Sequence, residues 1–267
     1  MKRFNRLWLA CSVAAILLTG CGGISEEMLA QRDTAIAMME SGDYEGAAAV
    51  FDSLVAEATS VTEFELDILK YRAEAEYLLG DYAAAAYTYD ILNQVDEERA
   101  EYCYFGAMSL AQAGDLTKAQ KWLENGKALE RESAGEKKKK EEAAGNPVGY
   151  VEAVLVIGNA LFDNGDKEKA SVLYDELITG GYATTEVYNR LVTDAMTAGD
   201  YEEALKLAEK GKQLTDGLAK QEILFNEAVC YEYLGNWSKA LELFEAYVAE
   251  FGSDEKAQHE IAFLRTR

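Results

Sequence analysis

Gly199-Asp200-Tyr201-Glu202-Glu203-Ala204 is one of six near-copies of the same short phrase. The others open at Gly42-Asp43-Tyr44, Gly80-Asp81-Tyr82, Gly114-Asp115-Leu116, Gly165-Asp166-Lys167 and Gly235-Asn236-Trp237. Their glycines are spaced by 38, 34, 51, 34 and 36 residues. Five residues after each glycine stands an alanine: Ala47, Ala85, Ala119, Ala170, Ala204 and Ala240. Four positions further on comes a large side chain at Phe51, Tyr89, Leu123, Tyr174 and Phe244, with Ala208 the exception. Self-similarity at a period of 20–50 residues marks an array of small units stacked on one another. Upstream of the glycines, apolar residues recur at helical spacing, as in Tyr102-Phe105-Met108-Ala111 and Val154-Ile157-Leu161.

Composition agrees with helices throughout. The 267 residues include one proline, and proline breaks the hydrogen-bond ladder of a helix interior. Alanine, leucine, glutamate and lysine, all strong helix formers, are abundant. Hydrophobic residues make up 49%, too many for a disordered chain. There are 26 Lys+Arg against 48 Asp+Glu, a net charge of −22. Such a body is repelled by nucleic-acid backbones and by anionic membrane surfaces, so no nucleic-acid partner is expected.

The repeated phrase resembles the tetratricopeptide repeat family, over roughly Met28 to the C-terminus. The resemblance implies an all-α fold: a right-handed α-solenoid of about six helix-turn-helix units with a C-terminal capping helix. Gly-Asp-Tyr would be the turn between the two helices of a unit, with glycine left-handed and aspartate capping the second helix. The alanine of the second helix would sit close against a small residue of the first: Ala35, Ala73, Ala107, Gly158 and Ala228, with Val192 larger. Units one to three would span 28–130, units four to six 151–252, and the cap 253–267, where Ala257, Ile261 and Leu264 recur at helical spacing. A polar-backed terminal cap is what a solenoid needs for solubility. The chain departs from the family pattern in lacking its proline after the second helix. It also carries large residues late in that helix at Leu54, Leu92, Leu177 and Tyr247, where Gly126 and Gly211 conform. The 51-residue spacing marks an insert at 131–150, with Lys137 to Lys140 flanked by Glu136, Glu141 and Glu142. It reads as a solvated extension of a helix followed by a loop; a basic patch is the alternative.

The first residues have a different character. Lys2, Arg3 and Arg6 precede an apolar run from Leu7 to Leu18, broken only by Ser12. That is the layout of a signal peptide, and it is shorter than the ~20 residues of a membrane-spanning helix. Leu18-Thr19-Gly20-Cys21 resembles the bacterial lipobox. The resemblance implies a signal peptide over 1–20, a diacylglyceryl group on the Cys21 thiol, and a lipidated tether over 21–27. The protein is therefore expected to be exported and lipid-anchored to the cell membrane or outer membrane of a bacterium. Of the other cysteines, Cys11 leaves with the leader, and Cys103 and Cys230 read as small buried hydrophobes.

No catalytic residue is expected: there is no GxSxG, HExxH, phosphate loop or cysteine–histidine arrangement. One histidine and no CxxC argue against a metal site, and no cofactor is expected beyond the lipid. In the family, first-helix residues line a concave face that takes a protein or peptide. By offset from each turn, that face would carry Tyr71, Glu74 and Tyr77, then Tyr104, Phe105 and Met108. It would continue through Leu155, Asn159 and Phe162, then Asn189, Arg190 and Thr193, then Phe225, Asn226 and Val229. Aromatic and arginine side chains are common interface anchors, and asparagine hydrogen-bonds an extended backbone. The peptide-binding candidates are Tyr71, Tyr77, Tyr104, Phe105, Asn159, Asn189, Arg190, Phe225 and Asn226. A membrane-anchored scaffold or envelope assembly factor is the expected function; a glycan- or small-ligand-binding surface lipoprotein is the alternative.

Overall fold

The computed structural model describes residues 24–58, 60–97, 99–137, 148–217 and 219–267. The leader, Cys21 and the core of the lysine-rich insert lie outside the described residues. Among those described there are thirteen α-helices and no strand. The first helices of the six hairpins, called A helices below, are α1 (Glu26–Ser41), α3 (Glu63–Leu79), α5 (Ala100–Gln112), α7 (Tyr150–Asp163), α9 (Thr185–Thr197) and α11 (Lys220–Tyr233). The second, B, helices are α2 (Tyr44–Ala56), α4 (Tyr82–Val95), α6 (Leu116–Lys137), α8 (Lys167–Gly180), α10 (Tyr201–Lys212) and α12 (Trp237–Phe251). Helix α13 (Glu255–Leu264) closes the chain.

The chain forms two compact units, one ending at Gly80 and the other starting at Asp81. In the first, α2 packs on both α1 and α3. In the second, α4 packs on α5, α5 on α6, α7 on α8, α9 on α10, and α11 on α12, which α13 covers. A helices also touch the next A helix, α5 against α7 and α9 against α11. Contact with sequence neighbours is the packing of a helical solenoid. The insert does not divide the second unit: α6 runs on to Lys137, and α7, which starts at Tyr150, packs on both α5 and α6. Helix α1 starts at Glu26, two residues before the expected Met28, because the Ser25 hydroxyl accepts from the Met28 amide and caps it.

The six turns are built alike. Each turn glycine is left-handed, with φ from 76° at Gly235 to 90° at Gly80, a region costly for any residue with a Cβ. The next residue caps the B helix. Asp43, Asp81, Asp115, Asp166, Asp200 and Asn236 each accept the amide three residues on with a side-chain oxygen. One such cap is worth about 1 kcal/mol.

Packing explains the two exceptions in the repeated phrase. All six B-helix alanines are fully buried. The small residue of each A helix and the large residue of its B helix lie sixteen positions apart. Their sizes are complementary: Ala35 with Phe51, Ala107 with Leu123, Gly158 with Tyr174, Ala228 with Phe244. A Cβ on Gly158 would lie 2.8 Å from the Tyr174 ring. In the fifth hairpin the sizes are exchanged, with Val192 on α9 and Ala208 on α10 in one fully buried cluster. Late in the B helix, Gly126 admits a ring from α5: its Cβ would lie 2.5 Å from Tyr104. Where that position is Leu54, Leu92, Leu177 or Tyr247, the side chain is buried core instead. Cys103 and Cys230 are free and buried, and burial pushes the Cys230 thiol up to about 11.

Candidate functional site

In the second unit, polar side chains of α7, α9 and α11 meet across the A helices. Asn159 of α7 donates to Glu186 of α9 at 2.9 Å and accepts the Tyr174 hydroxyl at 2.7 Å. Burial holds the Tyr174 proton on far above the ordinary tyrosine range, so this hydroxyl is a fixed donor. One turn along, Arg190 donates to Asp163 at 2.6 Å and lies 5.7 Å from the Phe162 ring. Lys167, at the start of α8, bonds Asp194 at 2.5 Å and approaches the same ring at 5.1 Å. Phe162 thus has two cations nearby, each balanced by an aspartate. On the far side of α9, Asn226 donates to Asn189 at 3.0 Å.

These ion pairs are partly exposed and contribute at most about 1 kcal/mol each. Their main effect is positional. Amides, carboxylates and one guanidinium are held in a row on successive A helices, an array suited to hydrogen-bonding an extended backbone. Among the described residues no group of three or more His, Cys, Asp or Glu is placed to hold a metal ion.

A second polar cluster lies at the B helices. A groove of about 380 Å³ is lined by Lys127, Glu130, Arg131, Tyr150 and Glu176. Lys127 bonds Glu176 at 2.7 Å and Glu124 at 2.9 Å, and the Tyr150 hydroxyl donates to the other Glu176 oxygen at 2.6 Å. Burial works to raise the Glu176 carboxyl, but Lys127 and Tyr150 hold it below the usual carboxylate range. With Lys127 and Tyr150 both holding Glu176, this cluster clasps α6, α7 and α8 together.

In the first unit, Tyr71, Glu74 and Tyr77 follow one another at three-residue intervals along α3. Tyr71 stacks on Phe51 at 5.9 Å and packs against the core of that unit. Glu74 is partly buried, and desolvation pushes its carboxyl up to about 7.

The expected tyrosine-lined face is corrected at two positions. Tyr104 has no exposed surface; it sits against Gly126 and edge-on to Tyr150 at 5.6 Å. Phe105 is buried and stacked on Tyr89 at 5.8 Å. Both rings fill space between helices: Gly126 leaves room for Tyr104, and Gly149 lies against both Phe105 and Tyr104. Phe225 is partly buried against Phe244 and Tyr247. Tyr71 also belongs mainly to packing, while Tyr77 is partly exposed. The four polar candidates, Asn159, Asn189, Arg190 and Asn226, do come together on the A helices. Their partners Asp163 and Glu186, and the adjacent pair Lys167–Asp194, were missed in the sequence. The signal was present: three contacts share a separation of 27 residues, two helical turns short of the 34-residue period.

The tetratricopeptide repeat family model matches residues 32–93 and 189–255. The chain is a tetratricopeptide repeat protein. The hairpins between the matched segments carry the same capped turns and size-paired helices, so the repeats run through them as well. Among solved structures, the type IV pilus biogenesis factor PilW is 15% identical, with 88% of this chain and 99% of that one covered at a TM-score of 0.58. The apo quorum sensor NprR from B. thuringiensis is 13% identical over 91% of this chain and 70% of that one, with a TM-score of 0.60. A tetratricopeptide repeat protein from Parabacteroides merdae is 13% identical over 90% and 86%, at 0.50. At such identities the likeness is one of fold. No curated protein matches the sequence. Tetratricopeptide repeat proteins are generally interaction scaffolds without catalytic activity, and the fold suggests that role here. Among the described residues no helix is long and apolar enough to cross a membrane.

Proposed function

We propose that this protein is an exported bacterial lipoprotein whose repeats hold a protein or peptide partner along the A helices. The observation that carries the binding half is the polar row Asn159–Glu186, Asp163–Arg190 and Asn189–Asn226 across α7, α9 and α11. The anchoring half rests on Leu18-Thr19-Gly20-Cys21 after a basic and apolar leader. One acyl chain gives only marginal membrane residence, whereas the two of a diacylglyceryl group anchor firmly. Helix α1 begins at Glu26, so the leash from Cys21 reaches no more than roughly 15–20 Å. The partner is therefore engaged beside the membrane, by a body whose negative charge keeps it off anionic lipid.

Two measurements test this. Cys21→Ser should abolish incorporation of labelled fatty acid and move the protein out of the membrane fraction; persistence of both would end the lipoprotein reading. A photo-crosslinking residue at Phe162 or Asn226 should capture a discrete protein in intact cells, while one at Val172, exposed on α8, should not. Equal capture at all three positions, or at none, would refute binding along the A helices.

A further inference from the structure

The groove between α6, α7 and α8 holds more polar groups than the clasp on Glu176 uses. Lys127, Glu130 and Arg131 stand at i, i+3 and i+4 on α6, so they share one face of that helix. Tyr150 of α7 and Glu176 of α8 complete the lining of a space of about 380 Å³. Lys127 bonds Glu124 and Glu176, which leaves one of its three N–H groups unspent. Arg131 gives its Nε to the Lys127 carbonyl and brings one terminal nitrogen to 3.7 Å from Glu124; among the described residues nothing bonds the other. The Glu130 carboxylate has no ion pair among the described residues, and desolvation pushes its carboxyl up despite the Tyr104 hydroxyl beside it.

That hydroxyl is the telling group. Tyr104 has no exposed surface. Its ring lies over Gly126, one turn before Glu130, and its oxygen faces Glu130 without completing a hydrogen bond. Burial holds the proton on that oxygen, so a fixed, unspent donor stands behind Glu130. Buried donors without an acceptor are rare in folded proteins.

We propose that this groove binds a small zwitterion of the size of a free α-amino acid, its carboxylate on Arg131 and Lys127 and its ammonium on Glu130. A guanidinium takes a carboxylate through paired N–H donors. An ammonium on the groove side keeps Glu130 ionised, and the second carboxylate oxygen is then free to accept the Tyr104 hydroxyl. A simple anion would leave Glu130 and Tyr104 unserved, and a simple cation would leave Arg131 and Lys127 unspent. A molecule carrying both charges serves all four. The volume lies near the lower end of small-ligand sites. The whole site belongs to the second unit and does not depend on binding along the A helices.

The test is isothermal titration calorimetry of the full chain in detergent with the free proteinogenic L-amino acids. At least one should bind. For the tightest, the amine that lacks its carboxyl group and the acid that lacks its ammonium group should each bind at least about tenfold more weakly, the worth of one charge-assisted hydrogen bond. Arg131→Gln should shrink the advantage over the amine, and Glu130→Gln the advantage over the acid. Tyr104→Phe should weaken the amino acid by a smaller factor and add no further loss to Glu130→Gln, because the hydroxyl acts through that carboxylate. Asn226→Ala, on α11, should leave the titration unchanged. The site is overturned if no amino acid binds, if the amine or the acid binds as tightly as the amino acid, or if Glu130→Gln and Arg131→Gln are both silent. Loss of binding in Asn226→Ala alone would put the ligand on the A helices and overturn it too.

Discussion

The exchanged pair Val192 and Ala208 allows the packing argument to be tested with a double-mutant cycle. Both side chains are fully buried in one cluster with Tyr188, Ala204, Ile223 and Cys230. Val192→Ala removes two buried carbons, about 1.6 kcal/mol at ~0.8 kcal/mol per carbon. With the cavity left behind, the loss should reach about 2–3 kcal/mol. Ala208→Leu alone forces a larger side chain against Val192 and should cost about 1–3 kcal/mol. Together the two changes recreate the small-and-large pairing of Ala107 with Leu123 in the third hairpin. The double variant should then lie within about 1 kcal/mol of the parent, a coupling of about 2–6 kcal/mol, from within the usual range for residues in contact to beyond its top. Urea unfolding followed by circular dichroism gives the global value. Hydrogen exchange in α9 and α10 locates it, because arrays lose stability repeat by repeat. If the double variant is as unstable as the two singles summed, size complementarity does not govern this hairpin and the reasoning fails.

Three further outcomes follow from the same structure. Glu74 has a folded pKa raised from 4.5 to about 7, so the native state binds the extra proton and stability falls as pH rises through that window; relative to Glu74→Gln the parent should lose up to about 3 kcal/mol between pH 4.5 and 8, and parallel pH–stability curves for the two proteins would contradict it. Gly126→Ala gains about 1 kcal/mol of helix propensity, but its Cβ would lie 2.5 Å from the enclosed Tyr104 ring. Overpacking of about 1–3 kcal/mol should leave a net loss in a thermal melt, and a raised melting temperature would show that Tyr104 moves freely. Asp200→Ala removes the acceptor of the Glu203 amide and should cost about 1 kcal/mol, whereas Asp200→Asn should be nearly neutral; equal losses would mean that the cap is not the cause.

Local features were the most legible part of the sequence. Gly114-Asp115 announces its turn because a left-handed backbone and an amide acceptor are needed at fixed, adjacent positions, and few residue types meet those needs. Ala119 announces its burial for a similar reason: close helix approach leaves no room for more than a methyl group. The aromatic residues were less legible. Tyr104 and Phe105 occupy offsets at which a ring can face a ligand or fill a gap, and the choice depends on glycines at 126 and 149, on two other segments. Nothing at position 104 itself records that Gly126 lies opposite. The exchanged sizes at Val192 and Ala208 look like two separate lapses until the sixteen-residue pairing is known.

The polar row on α7, α9 and α11 combines both kinds of constraint. Its members are spaced by the repeat, so Asp163–Arg190 and Lys167–Asp194 share one separation. That regularity ties α9 in register to both helices of the preceding hairpin, to α7 through Asp163–Arg190 and to α8 through Lys167–Asp194. Binding to a surface already ordered in this way loses less side-chain freedom, which is one of the main costs of association. The internal pairs therefore keep the acceptor groups in place, which favours an extended segment whose backbone amides can donate to them.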